Sequence, residues 1–194
     1  MVLVLASRNE HKLRELGAML APHVLEPAPG EIELPPETGS TFAENALIKA
    51  TAVAEAVGRP ALADDSGIAA TALGGRPGIF SARYAGEHAT DEENLAKLLA
   101  ELDGATDRRA AYVCALALVE PGRGNQVFEA RCEGTITSEP RGHGGFGYDP
   151  AFVPDDRESG DERTMAELSP SEKDAISHRG RAARALAEWL ESRG

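Results

Sequence analysis

The sequence is poor in cysteine and contains no long apolar run. Its 194 residues include only two cysteines, Cys114 and Cys132, each within an apolar stretch. We interpret them as buried thiols, not as a disulfide. Because no Cys-x-x-Cys pair is present, we do not expect a zinc site of that kind. No apolar stretch is long enough to span a membrane, so no membrane partner is expected.

Positive charge is scarce as well. Lysine and arginine number 20 against 32 aspartates and glutamates, which gives a formal net charge of -12. An acidic surface repels nucleic-acid backbones, and the chain has no basic stripe, so a nucleic-acid partner is not expected. A nucleotide is also an anion. Any nucleotide site in this chain therefore has to gather local positive charge or a cation.

The alternation of strand-like and helix-like segments predicts an α/β fold with a mixed sheet in a single domain over residues 1–194. Met1–Ala6 lacks the basic front and the length of a signal peptide and is predicted to form the first strand. Apolar spacing and caps predict further elements. Helices begin at Asn9, near Thr41 with an end at Gly58, and at Thr90, and a last helix runs from about Ser171 to Ser192. Strands occupy 61–63, 110–119 and 126–137, and loops occupy 74–88, 142–150 and the charged, exposed 154–163.

The segment Ser7–Lys12 lies where the first strand gives way to the first helix. Ligands of α/β folds bind beyond the carboxyl ends of strands, and the amino end of a helix suits phosphate. Ser7 and Asn9 offer hydrogen bonds, and Lys12 offers positive charge. The alternative is that Ser7 or Asn9 only caps the helix and that Lys12 is solvated.

A second group is acidic and comprises Glu37, Glu44, Asp64 and Asp65. Asp64-Asp65-Ser66-Gly67 directly follows an apolar run, and buried carboxylates are costly unless they are paired or bind metal. Magnesium binds one or two carboxylates together with substrate phosphates. Since side chains alternate along a strand, Asp64 and Asp65 are expected to face different ways. The alternatives are a turn or helix cap for the aspartates and a capping box for Glu44.

The loop Gly142–Asp149 is rich in glycine and carries two aromatic residues, Phe146 and Tyr148. An aromatic ring in such a loop can stack on a nucleobase. The alternative is that these rings fold back onto the sheet.

Lys173, His178 and Arg179 stand near the start of the predicted last helix. Arginine and histidine are donors suited to a purine oxygen. The alternative is a solvated helix face.

Six ordered segments resemble the inosine triphosphate pyrophosphatase family, the dITP/XTP pyrophosphatases, and together they extend over essentially the whole chain. They are Ser7-x-Asn9-x-x-Lys12, Thr41-Phe42-x-Glu44-Asn45-Ala46-x-x-Lys49-Ala50, Asp64-Asp65-Ser66-Gly67, Leu73-Gly74-Gly75-x-Pro77-Gly78-Ile79-x-Ser81-Ala82-Arg83, Gly144-Gly145-Phe146-Gly147-Tyr148-Asp149-Pro150 and Ser177-His178-Arg179-Gly180. One departure is Asp155–Arg163, which is longer and more acidic than the family pattern and is expected to form a surface loop.

The resemblance implies an elongated mixed β-sheet flanked by helices, in two lobes with the active site in the cleft between them. It also implies a homodimer that hydrolyses non-standard purine nucleoside triphosphates (ITP, dITP, XTP) to the monophosphate and pyrophosphate with Mg²⁺. Together with the absence of targeting signals, it implies a cytoplasmic location.

The resemblance also implies roles for individual residues. The triphosphate would contact Ser7, Arg8, Asn9, Glu10, His11, Lys12 and Lys49. Magnesium would bind Glu37 and Asp65, Asp65 would also accept the proton, and Ser66 would contact substrate. The base pocket would be formed by Phe146, Gly147, Tyr148, Asp149, Lys173, His178 and Arg179. Because an ordinary aspartate has a pKa of about 4, Asp65 is expected to be a weak base that relies on the metal.

Two rival functions remain open from the sequence. One is a pyrophosphatase for other modified nucleotides, such as those of pyrimidines. The other is a nucleotide-binding module without turnover, which would keep Lys12 and the Phe146 loop but would not use the Asp64-Asp65 pair.

Overall fold

Strands and helices alternate in the computed structural model, which describes residues 1–158 and 160–193. The strands are β1 (Val2–Leu5), β2 (Val24–Pro27), β3 (Ala61–Ala70), β4 (Arg109–Glu120), β5 (Gly124–Ile136) and β6 (Phe152–Pro154). The helices are α1 (Glu10–Met19), α2 (Phe42–Val57), α3 (Asp91–Glu101), α4 (Pro170–Ile176) and α5 (His178–Glu191). No helix of the described residues is long and apolar enough to cross a membrane.

The six strands form one sheet in the order β2-β1-β3-β4-β5-β6. β1 pairs in parallel with both β2 and β3, whereas β5 and β6 pair antiparallel. The sheet is therefore mixed, and the predicted α/β class is confirmed.

The chain divides into two compact units. Unit 1 comprises Met1–Asp65, Cys114–Ala130 and Arg179–Gly194, and unit 2 comprises Ser66–Val113 and Arg131–His178. Strands β3, β4 and β5 each contribute residues to both units. The single domain over residues 1–194 and the cleft between lobes stay predictions.

The core of unit 1 follows the alternation of side chains along its strands. On one face of the sheet, leucines and a cysteine pack against α1 and α5. They are Leu3, Leu5, Leu62, Cys114, Leu116 and Leu118, with Leu16 and Leu20 from the α1 side and Leu186 and Leu190 from α5. On the other face, small side chains pack against α2. They are Val4, Ala6, Ala61, Ala63, Ala115 and Ala117, with Ala46, Ala50, Val53 and Ala54 from the helix.

Unit 2 has its own apolar core, built on the other halves of the shared strands. It joins β3, α3, β4 and β6 through Ile68, Leu98, Tyr112 and Phe152. Phe152 has no exposed surface and is among the largest fully buried side chains.

Helix caps agree with the sequence in part. Thr90 and Glu93 form the predicted capping box of α3. Thr41 Oγ1 accepts a hydrogen bond from the Glu44 amide as predicted, but the Glu44 carboxylate accepts from the Ser40 amide instead of the Thr41 amide. The second half of the predicted capping box at α2 is therefore wrong.

The last helix is not continuous, contrary to the prediction. α4 ends at Ile176, and Ser177 has the extended conformation (φ -65°, ψ 155°) that is usual for a residue preceding a helix. A new helix begins at His178. Lys173 and His178 therefore belong to different helices and do not share one helical face.

Two loop predictions also change. β3 continues from Ala61 to Ala70, so the Asp64–Gly67 segment lies inside a strand and not at its end. The predicted loop 74–88 contains a 3₁₀ helix over Gly78–Arg83. Asp, Ser and Gly favour a turn locally. Here ion pairs on both faces of β3 hold the segment in a strand instead.

Gly67 is required where β3 approaches this 3₁₀ helix. A Cβ atom at Gly67 would meet Ser81 Oγ and, at 2.6 Å, the Gly78 carbonyl oxygen. Ser81 Oγ is fixed because it accepts from the Ile68 amide at 2.9 Å and donates to the Gly78 carbonyl at 2.6 Å. The fourth residue of the Asp-Asp-Ser-Gly segment thus has a packing role.

We predict that Gly67→Ala lowers the free energy of unfolding by about 1–3 kcal/mol, as overpacking does. Urea denaturation measures the change. Gly17→Ala in α1 is the control, because a Cβ atom added at Gly17 would meet no heavy atom within 4 Å, and it should be neutral or stabilise by up to about 1 kcal/mol. Equal effects of the two substitutions would contradict the packing role.

Candidate active site

Asp64 and Asp65 face opposite sides of β3, as predicted. Asp64 continues the face of Leu62 toward α1 and α5, whereas Asp65 continues the face of Ala63 toward α2. Both carboxylates are buried, at 1% and 5% exposure. Each must therefore obtain its compensating charge from a different set of helices.

Asp64 is held by two cations and a thiol. Its carboxylate pairs with Lys12 and accepts from Arg179 Nε at 2.8 Å, and Cys114 Sγ donates to it at 3.4 Å. Burial alone would raise the pKa of the Asp64 carboxyl, but the charges and hydrogen bonds of Arg179 and Lys12 outweigh burial and hold that pKa well below its usual value. Asp64 is thus a permanently ionised anchor.

Arg179 is almost fully enclosed, at 2% exposure. Besides Asp64, its Nη1 donates to Glu15 at 2.8 Å. The solvated helix face that was the alternative for Lys173, His178 and Arg179 is wrong, since all three are buried.

Lys49 pairs with two further carboxylates of unit 1, those of Glu37 and Asp65. From α2, its Nζ donates to Glu37 at 2.7 Å, to Asp65 Oδ1 at 2.9 Å and to the Asp64 carbonyl at 3.1 Å. Burial would lower the pKa of the Lys49 ammonium, but Asp65 and Glu37 outweigh burial and raise it. Lys49 is therefore charged, and it brings oxygens of Glu37 and Asp65 to one point.

Asp65 differs from its neighbour in having an oxygen without a donor. Oδ1 accepts from Lys49, whereas Oδ2 is buried and accepts no hydrogen bond from the described residues. Burial, reinforced by the Glu37 charge and opposed by Lys49, raises the pKa of the Asp65 carboxyl from 3.8 to about 6. Asp65 is thereby a better base than the sequence suggested.

The segment Ser7–Lys12 is ordered by its own side chains. Asn9 Oδ1 caps α1 by accepting from the amides of His11 and Lys12 at 2.9 and 3.2 Å, and Ser7 Oγ accepts from the Asn9 amide at 3.1 Å. The cap itself is thus confirmed, and the phosphate contact of Ser7 and Asn9 stays a prediction. The solvated alternative for Lys12 is wrong, because Lys12 pairs with Asp64.

Three further side chains of this segment point to other partners or to solvent. Arg8 donates to the carbonyls of Gly30 and Ile32 at 3.1 and 2.6 Å, Glu10 is exposed, and His11 Nδ1 lies 2.8 Å from Arg14 Nη2.

In unit 2, Asp149 is the centre of the glycine-rich loop. It accepts from the Phe146 amide at 2.9 Å, from Lys173 Nζ at 2.8 Å and from the Tyr112 hydroxyl at 3.1 Å. The Lys173 ammonium also lies 5.0 Å from the centroid of the half-buried Phe146 ring. The loop continues at Gly147, whose amide donates to Asp91 at 2.8 Å. Ser66, which precedes Gly67 in β3, is half-buried.

Tyr148 folds back into the protein, as the alternative for this loop supposed. Its side chain is 5% exposed within the core of unit 2, and its hydroxyl donates to the Ser81 carbonyl at 2.7 Å. The ring is therefore not placed to stack on a base. Its polar neighbours in the sequence concealed this core position.

Glu15, Cys114 and Tyr112 contact predicted site residues but were missed from the sequence. Glu15 follows Lys12 by three positions on α1, a spacing that places both on one side of the helix and offered a signal. Cys114 and Tyr112 lie in an apolar strand, which indicates only a core position.

The fold is of the α/β class, and its buried carboxylates are paired with lysines and an arginine. A family model described as the Ham1 family matches residues 3–189. The dITP/XTP pyrophosphatase of Geobacillus kaustophilus is 50% identical over 196 residues, with 97% of this chain and 94% of that protein covered. A solved HAM1 protein from Coxiella burnetii has a TM-score of 0.88 and 44% identity, with 99% of each chain covered. The chain therefore belongs to the Ham1 family, which confirms the resemblance seen in the six segments.

We predict that Asp64→Asn and Asp65→Asn change stability in opposite directions in the metal-free protein. A lowered pKa stabilises the folded state above the unfolded pKa of 3.8, so Asp64→Asn at about pH 7.5 removes that gain and leaves buried cations underpaired, which costs about 3–5 kcal/mol. A raised pKa has the opposite effect and destabilises the folded state once the carboxyl is ionised. The ionised Asp65 becomes a penalty as the pH rises from 3.8 to about 6, so its removal should add about 1–3 kcal/mol.

Urea denaturation in the presence of a chelator, at about pH 4 and about pH 7.5, measures both effects. The gain of Asp65→Asn should be much smaller at the lower pH, where the folded carboxyl is protonated and the unfolded carboxyl, with a pKa of 3.8, is only about half ionised. A similar loss of stability in both variants at both pH values would contradict the distinct environments of the two carboxylates.

Proposed function

We propose that this chain is a magnesium-dependent pyrophosphohydrolase that converts ITP, dITP and XTP to the monophosphate and pyrophosphate and so removes non-standard purines from the nucleotide pool. The observation that carries the proposal is Asp65, a buried carboxylate with one oxygen held by Lys49 and the other accepting no hydrogen bond from the described residues. The names of the relatives support the same activity.

The donor set of unit 1 fits magnesium. Glu37 and Asp65 already bind a common cation, the Lys49 ammonium, at 2.7 and 2.9 Å. Among residues 1–158 and 160–193, no three His, Cys, Asp or Glu side chains are grouped to hold a metal. A Mg²⁺ ion takes one or two carboxylates and completes its shell with phosphate and water. Bound by Glu37 and Asp65, the ion would neutralise charge on the phosphate oxygens.

Asp65 acts as the proton acceptor. Its Oδ2 takes a proton from a water molecule, and the water oxygen forms the new bond to the α-phosphorus. The bond from the α-phosphorus to the bridging oxygen breaks, and pyrophosphate leaves with that oxygen. In the metal-free protein, burial raises the pKa of the Asp65 carboxyl from 3.8 to about 6. A Mg²⁺ ion beside Asp65 would lower that pKa and keep the carboxylate ionised to accept the proton.

Lys12 and Lys49 supply fixed positive charge next to the two aspartates. Their ammonium groups are oriented by Asp64 and Asp65, so little reorganisation is needed when phosphate charge develops. The triphosphate is assigned to Ser7, Arg8, Asn9, Glu10, His11, Lys12 and Lys49, with Ser66 as a further substrate contact.

Base recognition is assigned to residues of unit 2 and to Arg179, which follows His178 in the sequence. The residues are Phe146, Gly147, Tyr148, Asp149, Lys173, His178 and Arg179, with the buried Tyr148 supporting the loop. Inosine and xanthosine present an oxygen at ring position six, which accepts from His178 or Arg179, whereas the adenine amino group would leave such donors unpaired. Arg179→Ala tests its part, since an unchanged preference for ITP over ATP would exclude Arg179 from base recognition.

The assembly is proposed to be a homodimer in the cytoplasm. Light scattering on the purified protein gives the mass in solution, and a monomeric mass would exclude the dimer.

The decisive experiment measures pyrophosphate release from ITP, dITP, XTP, GTP, ATP and dTTP, with and without Mg²⁺. We expect magnesium-dependent release from the first three, with the others lower by about 100-fold or more. Asp65→Asn should lower kcat by about 10²–10⁴-fold, as loss of a general base does. Asp107→Asn is the matched control, since Asp107 is paired with the neighbouring Arg109 outside the assigned residues, and it should retain full activity.

Release from dTTP in place of ITP would favour a pyrimidine pyrophosphatase. Magnesium-independent binding with no product from any nucleotide would overturn the enzyme proposal in favour of a binding module.

A further inference from the structure

Tyr112 contacts two of the residues to which base recognition is assigned. It lies in β4 and is 7% exposed. Its hydroxyl donates to Asp149 Oδ1 at 3.1 Å. Its ring is stacked on the His178 imidazole, with the ring centroids 4.6 Å apart and the planes 3° from parallel. Tyr112 lies in none of the six family-like segments.

The hydroxyl completes the set of donors around Asp149. Lys173 Nζ and the Phe146 amide both bind Oδ2, whereas Tyr112 binds Oδ1. Donors on both oxygens fix the rotation of a carboxylate, and hydrogen bonds to a charged group are among the stronger ones. Through Asp149, the hydroxyl therefore orients both the Phe146 loop and the Lys173 ammonium.

The ring sets the plane of His178. Tyr112 also packs edge-on against the fully buried Phe152 of β6, with the ring centroids 4.7 Å apart and an interplanar angle of 63°. The tyrosine is thus braced by the core and cannot rotate freely. An imidazole stacked on such a ring is held in one orientation.

We propose that Tyr112 is a positioning residue for base recognition, which rests on the proposed function. Its hydroxyl orients Asp149, and its ring orients His178. Because Tyr112 itself has no role at the reacting phosphate, its alteration should act on nucleotide binding and base preference more than on the chemical step.

Tyr112→Phe tests the hydroxyl, because it keeps the ring and removes one hydrogen bond. The matched control is Tyr84→Phe in the same unit, where the lost hydroxyl donates to Glu101 at 2.7 Å. For Tyr112→Phe we expect the KM for ITP and XTP to rise about tenfold with kcat within about twofold, as loss of an orienting contact predicts. The Tyr84 variant should keep the wild-type values.

Product inhibition separates positioning from a general loss of structure. Inosine monophosphate carries the base, whereas inorganic pyrophosphate does not. In Tyr112→Phe, inhibition by the monophosphate should weaken about as much as KM rises, and inhibition by pyrophosphate should be unchanged. Tyr112→Leu, which also removes the stacked ring, should lose more of the preference for ITP over ATP.

Equal weakening by both inhibitors, or a Tyr112→Phe enzyme that matches Tyr84→Phe, would overturn the positioning role while wild-type turnover leaves the proposed function intact. No hydrolysis by the wild type would overturn the proposed function and this inference together.

Discussion

Two adjacent carboxylates are buried side by side in β3, and ionised groups can be buried only where opposite charge reaches them. Because neighbouring side chains in a strand point to opposite faces, one set of helices cannot serve both. Asp64 pairs with Lys12 of α1 and Arg179 of α5, and Asp65 pairs with Lys49 of α2. The apolar faces of the same three helices pack on the same two faces of the sheet. A shift of β3 by one residue would exchange the aspartates and misplace both the charges and the core.

The two aspartates obtain different chemistry from this arrangement. Arg179 and Lys12 lower the pKa of Asp64 by more than burial raises it, so Asp64 stays ionised and serves as an anchor. Asp65 receives one ammonium that it shares with Glu37, and its pKa rises toward neutrality. Side-chain alternation predicts that the two face differently, but only the family resemblance, and not the local pattern, assigns the base to Asp65. That choice depends on where α1, α2 and α5 bring their cations, which is a property of tertiary packing.

Periodicity and capping residues were enough to predict most elements. The helix over 42–57, the capping box at Thr90 and the hairpin strands β4 and β5 follow from local patterns. The failures arise where tertiary contacts override local preference. Asp64–Gly67 has the composition of a turn yet lies in a strand, because ion pairs and close packing at Gly67 hold it there.

Sequence motifs likewise indicated some of the contacts among the predicted site residues but not others. Motifs identified the buried cluster in unit 1 and Asp149 with Lys173 in unit 2. The core position of Tyr148 and the contacts of Tyr112 were not visible, because neighbouring residues in the sequence do not report which side chains meet across a fold. The break at Ser177 was hidden as well, since apolar spacing continues through it.

The charges of the cluster in unit 1 bear on how an acidic protein would bind the proposed triphosphate substrate. Lys12, Lys49 and Arg179 face four carboxylates, those of Glu15, Glu37, Asp64 and Asp65. With every group ionised, the cluster is negative by one charge and would repel a triphosphate, in the same sense as the net charge of -12. A divalent cation at Glu37 and Asp65 reverses that sign, whereas protonation of Asp65 only neutralises it. For the magnesium site proposed at Glu37 and Asp65, electrostatics therefore favours joint binding of metal and nucleotide, with the metal compensating the carboxylate that is proposed to accept the proton.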